Sequence, residues 1–345
     1  MADEAARRRL AVVGTGYFSQ FHYDAWQRLE VDVVGVCSLA RGEAETIAAD
    51  FPGCGAFEDF ETMLDAVSPD LVDIIVPPAG HMDCIRAAIE RGIAMICQKP
   101  FTRSLEEAEA TVALAEAAGV PLFVHENFRF QPWHMKIKEM LDAGRIGEVY
   151  QATFRLRPGD GQGPDAYLGR QPYFQKMERF LVHETAIHLI DVFRCFFGEV
   201  RTVTAELTQL NPHIAGEDAG YIILNFDGGV RALFDGNRLS DHVAEDRRRT
   251  IGDMWVEGSQ GTIRLSGDGE IFIRAFGSND EAPVTFDWTP RGFAGDSVYE
   301  TQKQILAHLT QDTPVANTAR DYLANLRAEE AVYRSSGTGR RISLD

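Results

Sequence analysis

Three groups of residues in this chain have types and spacing that could do chemistry. The first is Gly14-Thr15-Gly16-Tyr17-Phe18-Ser19, which follows a short apolar run at residues 10–13 and opens an amphipathic stretch. A Gly-x-Gly turn between a strand and a helix lets backbone approach a pyrophosphate at the helix N-terminus. The second is Lys99, within Gln98-Lys99-Pro100 at the end of the apolar run 93–97. Ligands of open α/β sheets bind at the carboxyl ends of the strands, so a lysine there can reach a bound molecule. The third is Glu-Thr-Ala-Ile-His, in which Glu184 and His188 are four apart and share a helix face. A carboxylate at that spacing can orient an imidazole, and Asp191 lies near the same face. His183-Glu184 invites a zinc reading, but HExxH needs a histidine at position 187, which is Ile187, and no metal site is expected.

The elements that must hold these residues are legible in the apolar pattern. Runs at 10–13, 31–37, 71–76, 93–97 and 121–125 read as buried strands, and stretches with helical apolar spacing separate them. Gly92 and Gly119 stand where helix C-caps are expected. Right-handed crossovers stack such units into a doubly wound parallel sheet, a Rossmann α/β domain over residues 1–125. Past residue 125 the rhythm changes to a helix at about 132–143, a strand at about 148–157, a Gly- and Pro-rich loop and a helix from about 181. Successive strands that turn at glycines follow, and two further helices close the chain. Residues 126–345 are therefore expected to form an α+β domain on a mostly antiparallel open sheet.

Composition narrows the partners. At 345 residues, two domains are the default. A formal charge of −18 repels polyphosphate backbones and anionic surfaces, so neither nucleic acid nor a membrane is an expected partner. No run is long enough to span a bilayer, the first residues lack a signal-peptide pattern, and five scattered cysteines fit a reducing cytoplasm.

The end of the second strand bears on NAD against NADP. An acid there bonds the ribose hydroxyls and repels a 2′-phosphate. Ser38 occupies that place, with Arg41 nearby, which favours NADP over NAD. The expected cofactor site comprises Gly14, Gly16, Tyr17, Phe18, Ser38, Arg41, Pro77, His81, Gln98 and Lys99.

Taken together, GTGYFS, PPAGH, CQKP, NFRFQP, ETAIHLID and the late VEGSQGTIRL and SSGTGRRISL segments resemble the Gfo/Idh/MocA family of oxidoreductases over nearly the whole chain. The resemblance implies a Rossmann domain followed by a mostly antiparallel one, with homodimers or homotetramers formed through the sheet. It implies that Lys99, Glu184 and His188 surround a substrate hydroxyl beside the nicotinamide, and that the substrate is a sugar, a cyclitol or a related polyol. Three departures stand out. Glu184 replaces the family's aspartate, Gln98 its usual glutamate, and Pro78 a common asparagine.

Oxidation of a secondary alcohol needs a base for the hydroxyl proton, and an imidazole titrates nearer neutrality than an ammonium. His188 is thus the expected acid/base and Lys99 the group that stabilises the oxygen. Substrate contacts are expected from Asn127, Arg129, Trp133, Tyr167, Arg170, Tyr173, Arg179 and His183, with Trp133 equally suited to a core. Two other readings remain open: a lyase or hydrolase that oxidises its substrate transiently, and a cofactor-binding regulatory protein.

Overall fold

The protein is described by a computed structural model over residues 7–344. It divides into two compact units, one of residues up to 127 with 298–323, the other of 128–297 with 324–344.

The first unit carries six strands: β1 (Arg8–Val13), β2 (Val31–Cys37), β3 (Gly55–Phe57), β4 (Leu71–Ile74), β5 (Ala94–Gln98) and β6 (Leu122–His125). All are parallel, in the order β3-β2-β1-β4-β5-β6. Leu10, Val12, Val36, Leu71 and Ile96 are fully or almost fully buried, as apolar runs between two helical layers must be. Five helices lie between the strands: α1 (Ser19–Arg28), α2 (Arg41–Ala48), α3 (Phe60–Val67), α4 (His81–Glu90) and α5 (Leu105–Ala117). The Asp59 and Ser104 side chains cap α3 and α5 by accepting from the backbone of Thr62 and Glu107. Gly92 and Gly119, both at φ +68°, turn the chain out of α4 and α5. The strand order reverses between β1 and β4, and the Gly14 turn hangs on that switch point. Residues 298–323 join this unit because Ile305 is buried with Phe123 and Ile96, and because Asn317 donates its side-chain N–H to the Glu126 carbonyl at 2.7 Å.

The second unit begins with α6 (Pro132–Asp142) and β7 (Val149–Leu156). A π-helical turn over Leu181–Ala186 runs into α7 (Ile187–Phe197), followed by β8 (Val200–Thr208), β9 (Ala219–Phe226), β10 (Arg231–Asn237), β11 (Gly252–Gly258), β12 (Gly261–Leu265), β13 (Ile271–Ala275) and β14 (Ala282–Val284). Helices α8 (Ser297–Gln311) and α9 (Ala319–Thr338) and strand β15 (Ile342–Ser343) complete the chain. Nine strands form one sheet, β14-β13-β12-β11-β7-β10-β9-β8-β15, in which only β7 and β10 pair in parallel. Alternate residues such as Phe154, Ile222, Leu224, Phe234, Met254 and Val256 are buried under Leu189, Ile190 and Phe193 of α7 and Ala331 and Val332 of α9. Among the described residues no helix is long and apolar enough to cross a membrane.

Candidate active site

The Gly14 turn has the shape that a dinucleotide needs. Gly14 has φ +118°, and a Cβ there would lie 2.6 Å from the Ile75 carbonyl oxygen, so only glycine fits between the ends of β2 and β4. Its amide donates to the Cys37 carbonyl at 2.9 Å and its carbonyl accepts from the Tyr23 hydroxyl at 3.0 Å. A Cβ on Gly16 would meet nothing within 4 Å, which leaves a bare stretch of backbone beside the start of α1. No side chain caps α1 and its first turn holds no acid, so its positive end is available to an anion. These residues fit the pyrophosphate of NAD(P). Tyr17 is exposed beside the turn, whereas Phe18 packs edge-on against Phe21 and His22.

At the end of β2 the Ser38 hydroxyl lies 2.8 Å from the Thr15 hydroxyl, and both donate to the carboxylate of Glu43, which reaches back from the first turn of α2. Arg41 points elsewhere and pairs with Glu45 at 2.8 Å on the exposed side of α2. The charge that stands beside Ser38 is that of Glu43.

Lys99 follows directly on β5, where the sequence places it. Its amide donates to the Gln98 side-chain oxygen at 2.7 Å, and the Gln98 amide nitrogen lies 3.1 Å from Nε2 of His22. His22 Nδ1 in turn meets Asp73 at 2.8 Å, and the Trp26 indole donates to the same carboxylate oxygen at 2.7 Å. Asp73 and His22 are wholly buried, an aspartate inside an otherwise apolar strand. Gln98 thus spends its amide inside the protein. Pro77 leads into the 3₁₀ turn Pro78–Gly80. His81 is fully buried, with its two ring nitrogens at 3.0 and 2.8 Å from the carbonyls of Phe101 and Val76, and burial pushes its pKa down. A neutral ring donates to one of these carbonyls, which ties the α4 N-terminus to neighbouring backbone.

In the second unit His188 stands on the first turn of α7, and its ring stacks on Phe128 at 3.9 Å with 4° between the planes. Phe128 belongs to a tight turn, Phe128–Phe130, which Arg129 fastens to α7 by gripping the buried Asp191 with two N–H groups. Asn325 also donates to Asp191, at 2.7 Å. Glu184 lies in the π-helical turn, a local distortion that recurs at functional sites. Its carboxylate accepts from the Thr185 hydroxyl and from Arg238 at 3.3 Å. Arg238 is buried, lies over the Tyr167, Phe174 and Phe180 rings, and donates to Asp160 and the Tyr167 hydroxyl.

The expected substrate residues separate accordingly. Trp133 is a core residue whose indole donates to Gln131, and the Arg129 guanidinium is engaged by Asp191. Tyr167 is buried against Arg238. Arg179 bonds Glu330 and covers the Tyr333 ring, and His183 bonds Glu329 at 2.7 Å, which secures both to α9. Tyr173 is exposed, Arg170 is half-buried 3.8 Å from Asp160, and Asn127 is buried with its side-chain nitrogen lacking a hydrogen-bond partner among the described residues. Sequence reasoning missed Glu43, Asp73, His22, Phe128 and Arg238. The one available signal was Asp73, a charge in the middle of a buried strand.

Comparison with known proteins identifies the family. Residues 8–126 match the family described as oxidoreductase family, NAD-binding Rossmann fold, and residues 134–264 match the GFO/IDH/MocA C-terminal domain. A D-apiose dehydrogenase from Paraburkholderia graminis is 34% identical over 342 residues, covering 97% of this chain and 89% of that protein. An inositol 2-dehydrogenase from Rhizobium meliloti is 25% identical, covering 97% and 99%. The crystal structure of an oxidoreductase from Agrobacterium radiobacter in complex with NAD+, L-tartaric acid and magnesium superposes with a TM-score of 0.86 at 27% identity, covering 98% of each chain. The chain belongs to the Gfo/Idh/MocA family of oxidoreductases, as an NAD(P)-dependent dehydrogenase that acts on CH–OH groups.

Proposed function

We propose that this dehydrogenase oxidises a secondary hydroxyl of a sugar, cyclitol or related polyol, with His188 as the acid/base and Lys99 as the hydrogen-bond donor to the reacting oxygen. The observation that carries this reading is the position of Lys99 at the carboxyl end of β5, in the same sheet whose β1 to α1 turn leaves Gly16 open. A bound nicotinamide supplies the hydride acceptor. His188 takes the hydroxyl proton while its ring is kept in plane by Phe128, and the Lys99 ammonium stabilises the developing charge on oxygen. Glu184, paired with Arg238, holds the turn that carries His188 and takes no proton itself. Asn127, Arg170 and Tyr173 contact the substrate.

A panel of D-apiose, myo-inositol, D-xylose and L-tartaric acid, followed by reduced-nicotinamide absorbance, tests the class. Lys99→Met and His188→Ala are each expected to lower turnover on the order of 10²-fold while NAD+ still binds. Undiminished turnover in either variant removes that residue from the reaction, and absence of net cofactor reduction with every polyol favours the transient-oxidation lyase or hydrolase.

The finer choice of cofactor rests on Glu43. A carboxylate beside Ser38 and Thr15 suits two ribose hydroxyls and repels a 2′-phosphate, so we propose NAD in place of the NADP that Ser38 and Arg41 favoured in the sequence. Titration by nicotinamide fluorescence should give NADH binding about tenfold tighter than NADPH, with the gap narrowed in Glu43→Ala. Tighter binding of NADPH by the unaltered protein reverses the choice.

A further inference from the structure

Behind Lys99 lies a chain of buried polar groups whose donors and acceptors admit one arrangement. The Lys99 backbone N–H can only donate, so the Gln98 atom 2.7 Å from it is the oxygen. The Gln98 NH2 group must then face His22, 3.1 Å away, and His22 Nε2 must accept. The His22 proton is left on Nδ1, where it points at Asp73 at 2.8 Å, and the aspartate accepts it alongside the Trp26 indole N–H. Gln98, His22, Asp73 and Trp26 are all buried, and the His125 ring lies 4.2 Å from the His22 ring at a tilt of 38°, with burial holding its pKa well below the usual range. The sequence agrees with the geometry. A glutamate at position 98 would present oxygen on both sides and pull a proton onto His22 Nε2, whereas glutamine presents oxygen to Lys99 and nitrogen to His22.

We propose that Asp73, His22 and Gln98 are positioning residues for Lys99, joined in a polarised hydrogen-bond chain that holds His22 as the neutral Nδ1–H tautomer. The chain fixes the Lys99 backbone at the end of β5, and displacement of a catalytic group by about 1 Å is enough to cost turnover. The effect on turnover rests on the role proposed for Lys99. The tautomer does not.

The test uses the full chain with NAD+ bound. In ¹⁵N-histidine spectra, with His22 assigned by its disappearance in His22→Gln, the expected pattern is a protonated Nδ1 and an unprotonated Nε2. A proton on Nε2 overturns the proposal. Gln98→Glu should move that signal to a ring protonated at both nitrogens, and an unchanged signal overturns the polarity assigned to the chain. Gln98→Met, which keeps the shape and loses both bonds, should lower kcat about tenfold or more while the NAD+ Kd stays within about twofold. If kcat is unchanged there but lost in Lys99→Met, the positioning role fails and the reading of Lys99 stands. If Lys99→Met itself retains kcat, it is that reading which fails. Should Gln98→Met not fold, the tautomer in the unaltered protein and in Gln98→Glu still decides the chain.

Discussion

At the scale of single residues, the two glycines of the first turn have separable duties. Gly14 is confined by geometry: a side chain there meets the Ile75 carbonyl at 2.6 Å and needs a backbone conformation that other residues rarely adopt. Gly16 has no such constraint, because a Cβ would project into open space that the pyrophosphate is expected to fill. Gly14→Ala should therefore cost on the order of 2 kcal/mol or more of stability, read as a lowered urea midpoint. Gly16→Ala should leave that midpoint unchanged and weaken NAD+ binding about tenfold, read by titration. Equal loss of stability in both would mean that the turn serves only the fold. The same scale explains what the sequence could not reveal about the site. Lys99 is legible because its position depends on the adjacent strand alone. Its support is not, because His22, Asp73 and Gln98 come from α1, β4 and β5 and meet only when the sheet forms. Arg238 is likewise 54 residues from the Glu184 that it binds. Glu43 stood five residues past Ser38 in plain view, yet nothing local says that its side chain turns back.

At the scale of elements, buried parallel strands announce themselves as apolar runs, and five of the six in the first unit are legible for that reason. Three-residue β3 is too short to carry a pattern. Strand β8, RTVTAELT after its first valine, is hard to read in the sequence, since Arg201, Thr204, Glu206 and Thr208 fill its outward positions and dilute the apolar signal. The π-helical turn before α7 has no composition of its own, and the placement of residues 298–323 with the first unit depends on contacts some 180 or more residues away in sequence. One element junction also carries a pH response. The buried His134 of α6 has Nδ1 2.8 Å from the Phe128 carbonyl, in the turn that supports His188, and burial pushes its pKa down to about 4. The folded protein keeps this ring neutral, whereas the unfolded chain protonates it near its ordinary 6.5. A depressed histidine costs nothing above pH 6.5. As pH falls from 6.5 to 4 the unfolded state alone gains the proton, and folding loses about 3 kcal/mol at this site. Urea midpoints should therefore fall across that window, and His134→Gln should flatten the slope in part, because buried His81 and His125 shift in the same direction. A slope identical to that of the unaltered protein would show that His134 is charged in the fold.

At the scale of the whole molecule, the nine-stranded sheet has one face spent on its core and one face to account for. Strand alternation sends Ile223, Leu233, Thr153 and Trp255 outward, and the register sets them side by side across β9, β10, β7 and β11. Ile223 is 41% and Trp255 37% exposed, and Tyr221, two residues from Ile223 on the same face, is 55% exposed. A contiguous apolar and aromatic strip on a sheet is the usual mark of an interface. Around it, Arg155 stands between Asp235 and Asp253 in register, and Gln151 donates to Glu257 at 2.6 Å, so the strip is rimmed by polar groups of both signs. Such a rim suits a second copy of the same face, because a two-fold operation pairs each charge with a partner from the set that it already contains. The protein is therefore expected to run as a dimer or tetramer in light scattering coupled to size exclusion. Ile223→Glu combined with Trp255→Glu places like charges at the centre of that face and should shift the mass to one chain while the circular dichroism spectrum holds. A monomeric mass for the unaltered protein at micromolar concentration, or an unchanged oligomer in the double variant, would leave this strip as solvent-facing surface and send the search for an interface elsewhere.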